Sequence, residues 1–188
     1  MRKIVAVIGD AIVEKGTEKY NIAYQTGKAI IEAGYRLQCG GLGGVMKAAC
    51  KGAKSATNYR EGDIIGILPS FDVNNRNEYV DIPIPTGLDV YRNVIVASAS
   101  AVVAIGGGGG TLSELAHAWS LKRLILAYSN CGGWGEKLAG ERVDGRIRYP
   151  NIPEDKVYGV TSPQEMSETL KKYIDKYDIY HTGITIHD

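Results

Sequence analysis

Two glycine clusters are the residues of this chain whose types and spacing could do chemistry. The first cluster, GGLGG, comprises residues 40–44, and the second, GGGGG, comprises residues 106–110. Each cluster follows a short apolar run and precedes a helical pattern. N–H groups at the start of a helix bind anions, and glycines let a phosphate approach them closely. The spacing therefore predicts a small phosphorylated ligand, bound by Gly40, Gly41, Gly43, Gly44, Gly107, Gly108, Gly109 and Gly110.

A threonine and a glutamate follow the second cluster. The hydroxyl of Thr111 adds a donor to the predicted anion site. Glu114 has two interpretations. The segment TLSE, residues 111–114, matches a capping box, whose glutamate only stabilises the start of a helix. A carboxylate beside a phosphate site can also stabilise a cationic sugar or direct a water molecule. The two interpretations are compatible, and both stay open on these residues.

Other phosphate and metal motifs do not fit the chain. A P-loop requires a lysine after its glycines, and neither cluster has one. The first strand pattern ends in Gly9, Asp10 and Ala11 rather than in a dinucleotide fingerprint, so NAD is not expected. The three cysteines are too widely spaced for a disulfide framework or a zinc knuckle. We expect reduced thiols and no metal site.

Alternating strand and helix patterns must position the two clusters. Apolar runs predict strands at residues 4–8, 35–39, 64–68, 79–84, 101–105, 123–127 and 157–160. Start and stop signals predict helices at residues 17–33, 45–56 and 162–176, a helix opened by a capping box at residues 86–89, and a helix after the second cluster. Residues 129–150 are expected to be irregular. This order predicts one α/β domain over residues 1–188, a Rossmann-like, open, mostly parallel sheet with helices on both faces. We expect both clusters at neighbouring strand ends.

Composition limits the class of partner. The chain has 188 residues, of which 44% are hydrophobic and 23% charged, and its formal net charge is +1. Nucleic-acid-binding proteins usually carry a basic face, so this balance argues against a nucleic-acid partner. The apolar run at residues 4–8 is too short for a signal peptide, and no run has transmembrane length. We expect a cytoplasmic protein that does not bind membranes.

Three spaced motifs carry a resemblance to a known family. The segments GGLGGVM (residues 40–46), YRN (91–93) and GGGGGTLSE (106–114) resemble the Lonely Guy family of nucleotide phosphoribohydrolases, long mislabelled as lysine decarboxylases. The likeness spans roughly residues 3–128. The segment DIPIPTG at residues 81–87, followed by Arg92 and Asn93, is similar to the branch of this superfamily that includes the molybdenum cofactor carrier proteins.

The resemblance implies roles for individual residues. It implies that Arg92 and Glu114 are catalytic and that Met46 and Asn93 join the glycines and Thr111 in ligand binding. The implied reaction cleaves the N-glycosidic bond of a nucleoside 5′-monophosphate, with no cofactor required, whereas lysine decarboxylation is not expected. It also implies a homodimer or homotetramer.

Two departures from the family pattern leave alternatives open. Gly106 replaces a proline, and Asn93 replaces a lysine, which removes a cation from the predicted site. These departures count against hydrolysis more than against binding. One alternative is a non-catalytic carrier that binds molybdenum cofactor or a related phosphorylated pterin. Another is a DNA-handling relative, against which the near-zero net charge counts.

Overall fold

The computed structural model describes residues 1–179 and contains a parallel sheet of seven strands. The strands are β1 (Ile4–Gly9), β2 (Arg36–Cys39), β3 (Ile64–Leu68), β4 (Ile82–Pro85), β5 (Ala101–Ile105), β6 (Leu124–Tyr128) and β7 (Val157–Val160). Their order across the sheet is β4-β3-β2-β1-β5-β6-β7, and every neighbouring pair is parallel. The predicted α/β class and parallel sheet are confirmed.

Helices cover both faces of the sheet. They are α1 (Glu18–Glu32), α2 (Gly44–Lys54), α3 (Asn93–Ala97), α4 (Gly109–Ser120), α5 (Gly133–Leu138) and α6 (Pro163–Tyr173), with short 3-10 helices at Val73–Asn75 and Asp89–Arg92. One apolar core contains residues of α1, α2 and α6, and a second contains residues of α3 and α4, with partly buried residues of α5 packed against it. No helix within residues 1–179 is long and apolar enough to span a bilayer.

Continuous apolar runs form the central strands because both of their faces are covered. All five residues of β5 and of β6 are buried. The predicted bounds of β3, β5 and β7 agree with the structure, and those of β2 and β6 differ by one residue. Two predicted helix starts are also confirmed: Thr17 accepts a hydrogen bond from the N–H of Tyr20, and Ser162 accepts one from the N–H of Glu165.

Both of the other predicted capping boxes are wrong. Helix α4 begins at Gly109, so Thr111 and Glu114 lie inside the helix and Gly108 is its N-cap. The hydroxyl of Thr86 donates to the carbonyl oxygen of Leu68 and accepts from the N–H of Leu88, which closes a turn before the 3-10 helix Asp89–Arg92. At Thr86, the contact with Leu68, 18 residues earlier in the chain, overrides the local pattern.

Other boundaries also differ from the sequence-based prediction. The predicted irregular segment 129–150 contains α5, whose two N-terminal glycines gave no helical signal. Helix α6 ends at Tyr173, and α2 ends at Lys54, so both are shorter than expected. The extended segment predicted at residues 79–84 is shifted to β4. The C-terminal residues 180–188 lie outside the described part of the chain.

Candidate functional site

The two glycine clusters lie at the carboxyl ends of β2 and β5, on either side of β1. The expectation that they lie on neighbouring strands is therefore wrong, because β1 separates them. The chain runs outward from β1 to β4 on one side, and β5 to β7 extend the sheet on the other. Ligands of open α/β sheets bind in the crevice where the strand order reverses in this way.

The second cluster opens towards solvent at the start of α4. Gly106 and Gly107 have φ values of +66° and +98° and turn the chain out of β5. Helix α5 fixes this turn, because the N–H groups of Trp134 and Gly135 donate to the carbonyl oxygens of Gly107 (2.9 Å) and Gly106 (3.0 Å). The next three glycines, residues 108–110, are exposed. Their N–H groups lie at the positive end of a 12-residue helix, which is an arrangement that can bind an anion.

A pocket of about 490 Å³ adjoins this helix start, a volume typical of small-molecule sites. It lies between α4 and the segment formed by the Asp89–Arg92 helix and α3. On its polar side, the Asn93 amide Nδ2 donates to the Ser113 hydroxyl at 2.8 Å. The pocket is lined by Val90, Tyr91, Asn93, Val94, Gly109, Gly110, Ser113 and His117. We name it the α3–α4 pocket.

The first cluster is packed against protein instead. A Cβ atom on Gly40 would lie 2.5 Å from Arg92 Nη2, and one on Gly41 would lie 2.5 Å from a methyl group of Leu68. One on Gly44 would meet the main chain of Asp10 at 2.1 Å. These glycines therefore permit close packing between segments. The side chain of Met46 is buried in the core below them.

The two residues implied to be catalytic contact each other, and neither of them lines the α3–α4 pocket. Arg92 Nη1 donates to Glu114 Oε1 at 3.3 Å, and both side chains are buried. Burial raises the pKa of Glu114 to about 7, although the Arg92 guanidinium acts to lower it. A carboxyl group with this pKa can donate or accept a proton near neutrality. Within the described residues, Arg92 Nε has no hydrogen-bond partner. Thr111 is also buried, one turn before Glu114 on α4.

Asp10 is a candidate site residue that the sequence analysis missed. Its Oδ1 accepts the N–H of Gly107 at 3.1 Å, and its Oδ2 pairs with Lys19 Nζ at 2.6 Å. Its carbonyl oxygen accepts the N–H of Val45 at 2.9 Å. Asp10 therefore ties the end of β1 to both glycine clusters. A carboxylate directly after a buried parallel strand was the available signal.

Side chains that could bind a metal ion are not clustered in the described part of the chain. No three His, Cys, Asp or Glu side chains within residues 1–179 lie close enough together to hold a metal ion. Cys39, at the end of β2, is buried, and its Sγ lies 3.5 Å from Cys50 Sγ and accepts the N–H of Gly41. All three cysteines are free thiols.

Comparison with known proteins places these features in a family. The profile of the SLOG cluster4 family matches residues 2–165. An uncharacterized protein of Archaeoglobus fulgidus is 44% identical over 115 residues, which cover 61% of this chain and 72% of that protein.

Two solved structures have the same fold along nearly their whole length. The molybdenum cofactor binding protein of Rippkaea orientalis is 33% identical with a TM-score of 0.73, and the match covers 93% of this chain and 98% of that one. The molybdenum cofactor carrier protein of Chlamydomonas reinhardtii is 29% identical with a TM-score of 0.70, and the match covers 93% and 99%. The expected superfamily is thereby confirmed.

Proposed function

The chain belongs to the SLOG cluster4 family, and on this premise we propose that it binds and carries a phosphorylated heterocycle of the pterin or nucleotide class. The observation that carries the proposal is the run of exposed N–H groups at residues 108–110 beside the α3–α4 pocket. The names of the two similar solved structures support a pterin such as molybdenum cofactor as cargo.

The phosphate end of the ligand binds at the start of α4. A Cβ atom on Gly108 or Gly109 would have no neighbour within 4 Å, so no protein atom fills the space beside this part of the main chain. The partial positive charge at the helix start stabilises the anion. Because Asp10 and α5 hold the preceding turn, the N–H groups are positioned before the ligand arrives.

The ring end of the ligand binds in the α3–α4 pocket. Val90, Tyr91 and Val94 are 63%, 80% and 39% exposed and offer apolar surface to a flat ring. Asn93, Ser113 and His117 supply polar groups for the ring edge. Small-molecule sites commonly combine an apolar lining with a few polar groups in this way. The free thiols also fit the predicted cytoplasmic location.

Hydrolysis of a nucleoside 5′-monophosphate is a second candidate function, favoured by the contact between Arg92 and Glu114. Cleavage of an N-glycosidic bond builds positive charge on the ribose. The Glu114 carboxylate would stabilise that charge or direct the attacking water, and Arg92 would hold the carboxylate in place. Asn93, which stands where the phosphoribohydrolase pattern has a lysine, offers no cation to the phosphate.

The experiment that tests the proposal identifies the ligand directly. The purified protein is denatured, and the released small molecules are analysed by mass spectrometry. We expect a phosphorylated pterin or nucleotide, and calorimetry with that compound should show binding to the ligand-free protein. The absence of any released phosphorylated compound, together with no binding of pterin phosphates or nucleotides, would contradict the proposal.

The same preparation separates the carrier from the hydrolase. Release of ribose 5-phosphate from AMP by the wild type, reduced about 10²–10⁴-fold by Glu114→Gln, would establish hydrolysis. Tight pterin binding without release of ribose 5-phosphate establishes the carrier.

A further inference from the structure

A second pocket opens beside the first glycine cluster. Its volume is about 360 Å³, and it reaches the chain at Gly44, the first residue of α2. Three lysines and two tyrosines line it: Lys15, Lys47, Lys51, Tyr20 and Tyr79. We name it the lysine pocket. It shares no lining residue with the α3–α4 pocket, so the two are separate features of the surface.

The lysine pocket has an excess of positive charge. Glu78 is the one carboxylate that lines it in the described part of the chain, and it pairs with Lys47 at 2.9 Å. No carboxylate within residues 1–179 lies within salt-bridge distance of Lys15 or Lys51. Lys47 and Lys51 are four residues apart on α2, where like charges repel each other. A bound anion would relieve this repulsion.

The walls of the pocket are held in place by the core. Tyr20 and Tyr79 are half-buried and pack against the apolar core that contains residues of α1 and α2. Lys51 is also half-buried and lines the pocket. The start of α2 adds its partial positive charge at Gly44. Fixed walls and a positive rim are properties of an anion site.

We propose that the lysine pocket is a second anion-binding site, which takes a phosphate or pyrophosphate group. The first glycine cluster faces protein at Gly40 and Gly41, and the N–H of Val45 is already bonded to Asp10. An anion near this cluster therefore contacts the lysine ammonium groups, with Gly44 at its edge. The site stands independently of ligand binding at the start of α4.

The test is calorimetric titration of the full chain with inorganic pyrophosphate at physiological ionic strength. The double substitution Lys47→Gln and Lys51→Gln should weaken pyrophosphate binding about ten- to hundredfold, because two charged hydrogen-bond donors are lost. The matched control is Lys171→Gln with Lys172→Gln, which removes the same charge from exposed positions on α6 and should bind like the wild type. Gly109→Val, which alters only the start of α4, should retain the lysine-pocket binding event.

Equal pyrophosphate binding by the two double variants, or no binding by the wild type, would overturn the second site. If Gly109→Val lost pyrophosphate binding and the double variant at Lys47 and Lys51 retained it, the proposed site at the start of α4 would stand and the lysine-pocket site would be refuted. A nucleoside 5′-diphosphate distinguishes two sources of the anion. If the nucleoside 5′-diphosphate competes with pyrophosphate for the lysine pocket, the site binds a phosphorylated ligand. If pyrophosphate binds there and the nucleoside 5′-diphosphate does not, the site binds the free anion.

Discussion

Arg92 and Glu114 form a buried ion pair in which Arg92 Nη1 lies 3.3 Å from Glu114 Oε1, with 11% and 9% of the side chains exposed. Arg92 ends the 3-10 helix before α3, and Glu114 lies in the second turn of α4. The pair therefore joins the two helical segments that border the α3–α4 pocket. Gly40, at the end of β2, packs against the same guanidinium group.

Replacing Glu114 with glutamine should change how stability depends on pH. Burial raises the pKa of Glu114 from 4.5 to about 7 in the folded protein. The folded state thus holds this proton more tightly than the unfolded state. The wild-type free energy of unfolding should therefore decrease by about 3 kcal/mol as the pH rises from 4.5 to about 7. Glutamine resembles the protonated form, so Glu114→Gln should lack the decrease.

Urea unfolding between pH 4.5 and pH 8.5 measures this difference. The control is Glu61→Gln, which removes a carboxylate from an exposed position and should follow the wild-type curve. Parallel curves for Glu114→Gln and the wild type would contradict the prediction.

Gly40→Ala should destabilise the protein, because the added methyl group would lie 2.5–2.8 Å from the Arg92 guanidinium. We expect a loss of about 1–3 kcal/mol, the usual cost of overpacking a filled site. Gly145→Ala is the control, since a Cβ atom there has no neighbour within 4 Å. Chemical unfolding of both variants at one pH measures the effect. Equal stability would show that Arg92 moves aside without cost.

Gly109→Val should abolish binding of phosphorylated ligands and leave the fold intact. The Gly109 Cβ position is open, so valine fits sterically while its side chain blocks the approach of a phosphate to the N–H groups. Gly145→Val makes the same change at an exposed site outside the crevice. Calorimetry with the co-purified ligand compares the two variants. Retained affinity in Gly109→Val would make the second cluster purely structural.

Asp10→Ala should loosen the turn before α4, because the N–H of Gly107 loses its acceptor. An unsatisfied buried donor costs about 1–3 kcal/mol. Asp10→Asn keeps an acceptor oxygen and loses only the partly exposed ion pair with Lys19, worth about 1 kcal/mol or less. Hydrogen exchange of the Gly107 amide should therefore accelerate more in Asp10→Ala than in Asp10→Asn. The same exchange rate in both variants would contradict a positioning role for Asp10.

Self-association should occur through the exposed apolar side chains beside the site. Tyr91 is 80% exposed and Val90 is 63% exposed, and exposed apolar patches commonly mark interfaces. We expect a homodimer or homotetramer, and Tyr91→Asp should shift it towards the monomer. Ile147→Asp, at a position 74% exposed elsewhere, is the control. A mass near 20.3 kDa for the wild type by light scattering at micromolar concentration would contradict the prediction.

The sequence by itself determined the fold class and the placement of each glycine cluster directly after a strand. The apolar run of β5 and the caps at Thr17 and Ser162 could be predicted because each depends on residues that are close in sequence. The alternation of strands and helices then favoured a parallel sheet, which covers the apolar runs of its central strands on both faces. The start of α4 was misjudged, because the N-terminal glycines of this helix form a helical turn against their own low propensity.

Only the tertiary structure decided which glycines open to a ligand and which pack against protein. Both clusters are rich in glycine and follow a strand, yet Gly40 faces Arg92 and Gly109 faces open space. The contact between Arg92 and Glu114 joins residues that are 22 positions apart in the chain. The hydrogen bond from Gly107 to Asp10 joins residues that are 97 positions apart. Such contacts depend on the order and register of the strands. No local pattern of residue types specifies them, because the groups become neighbours only after the sheet has formed.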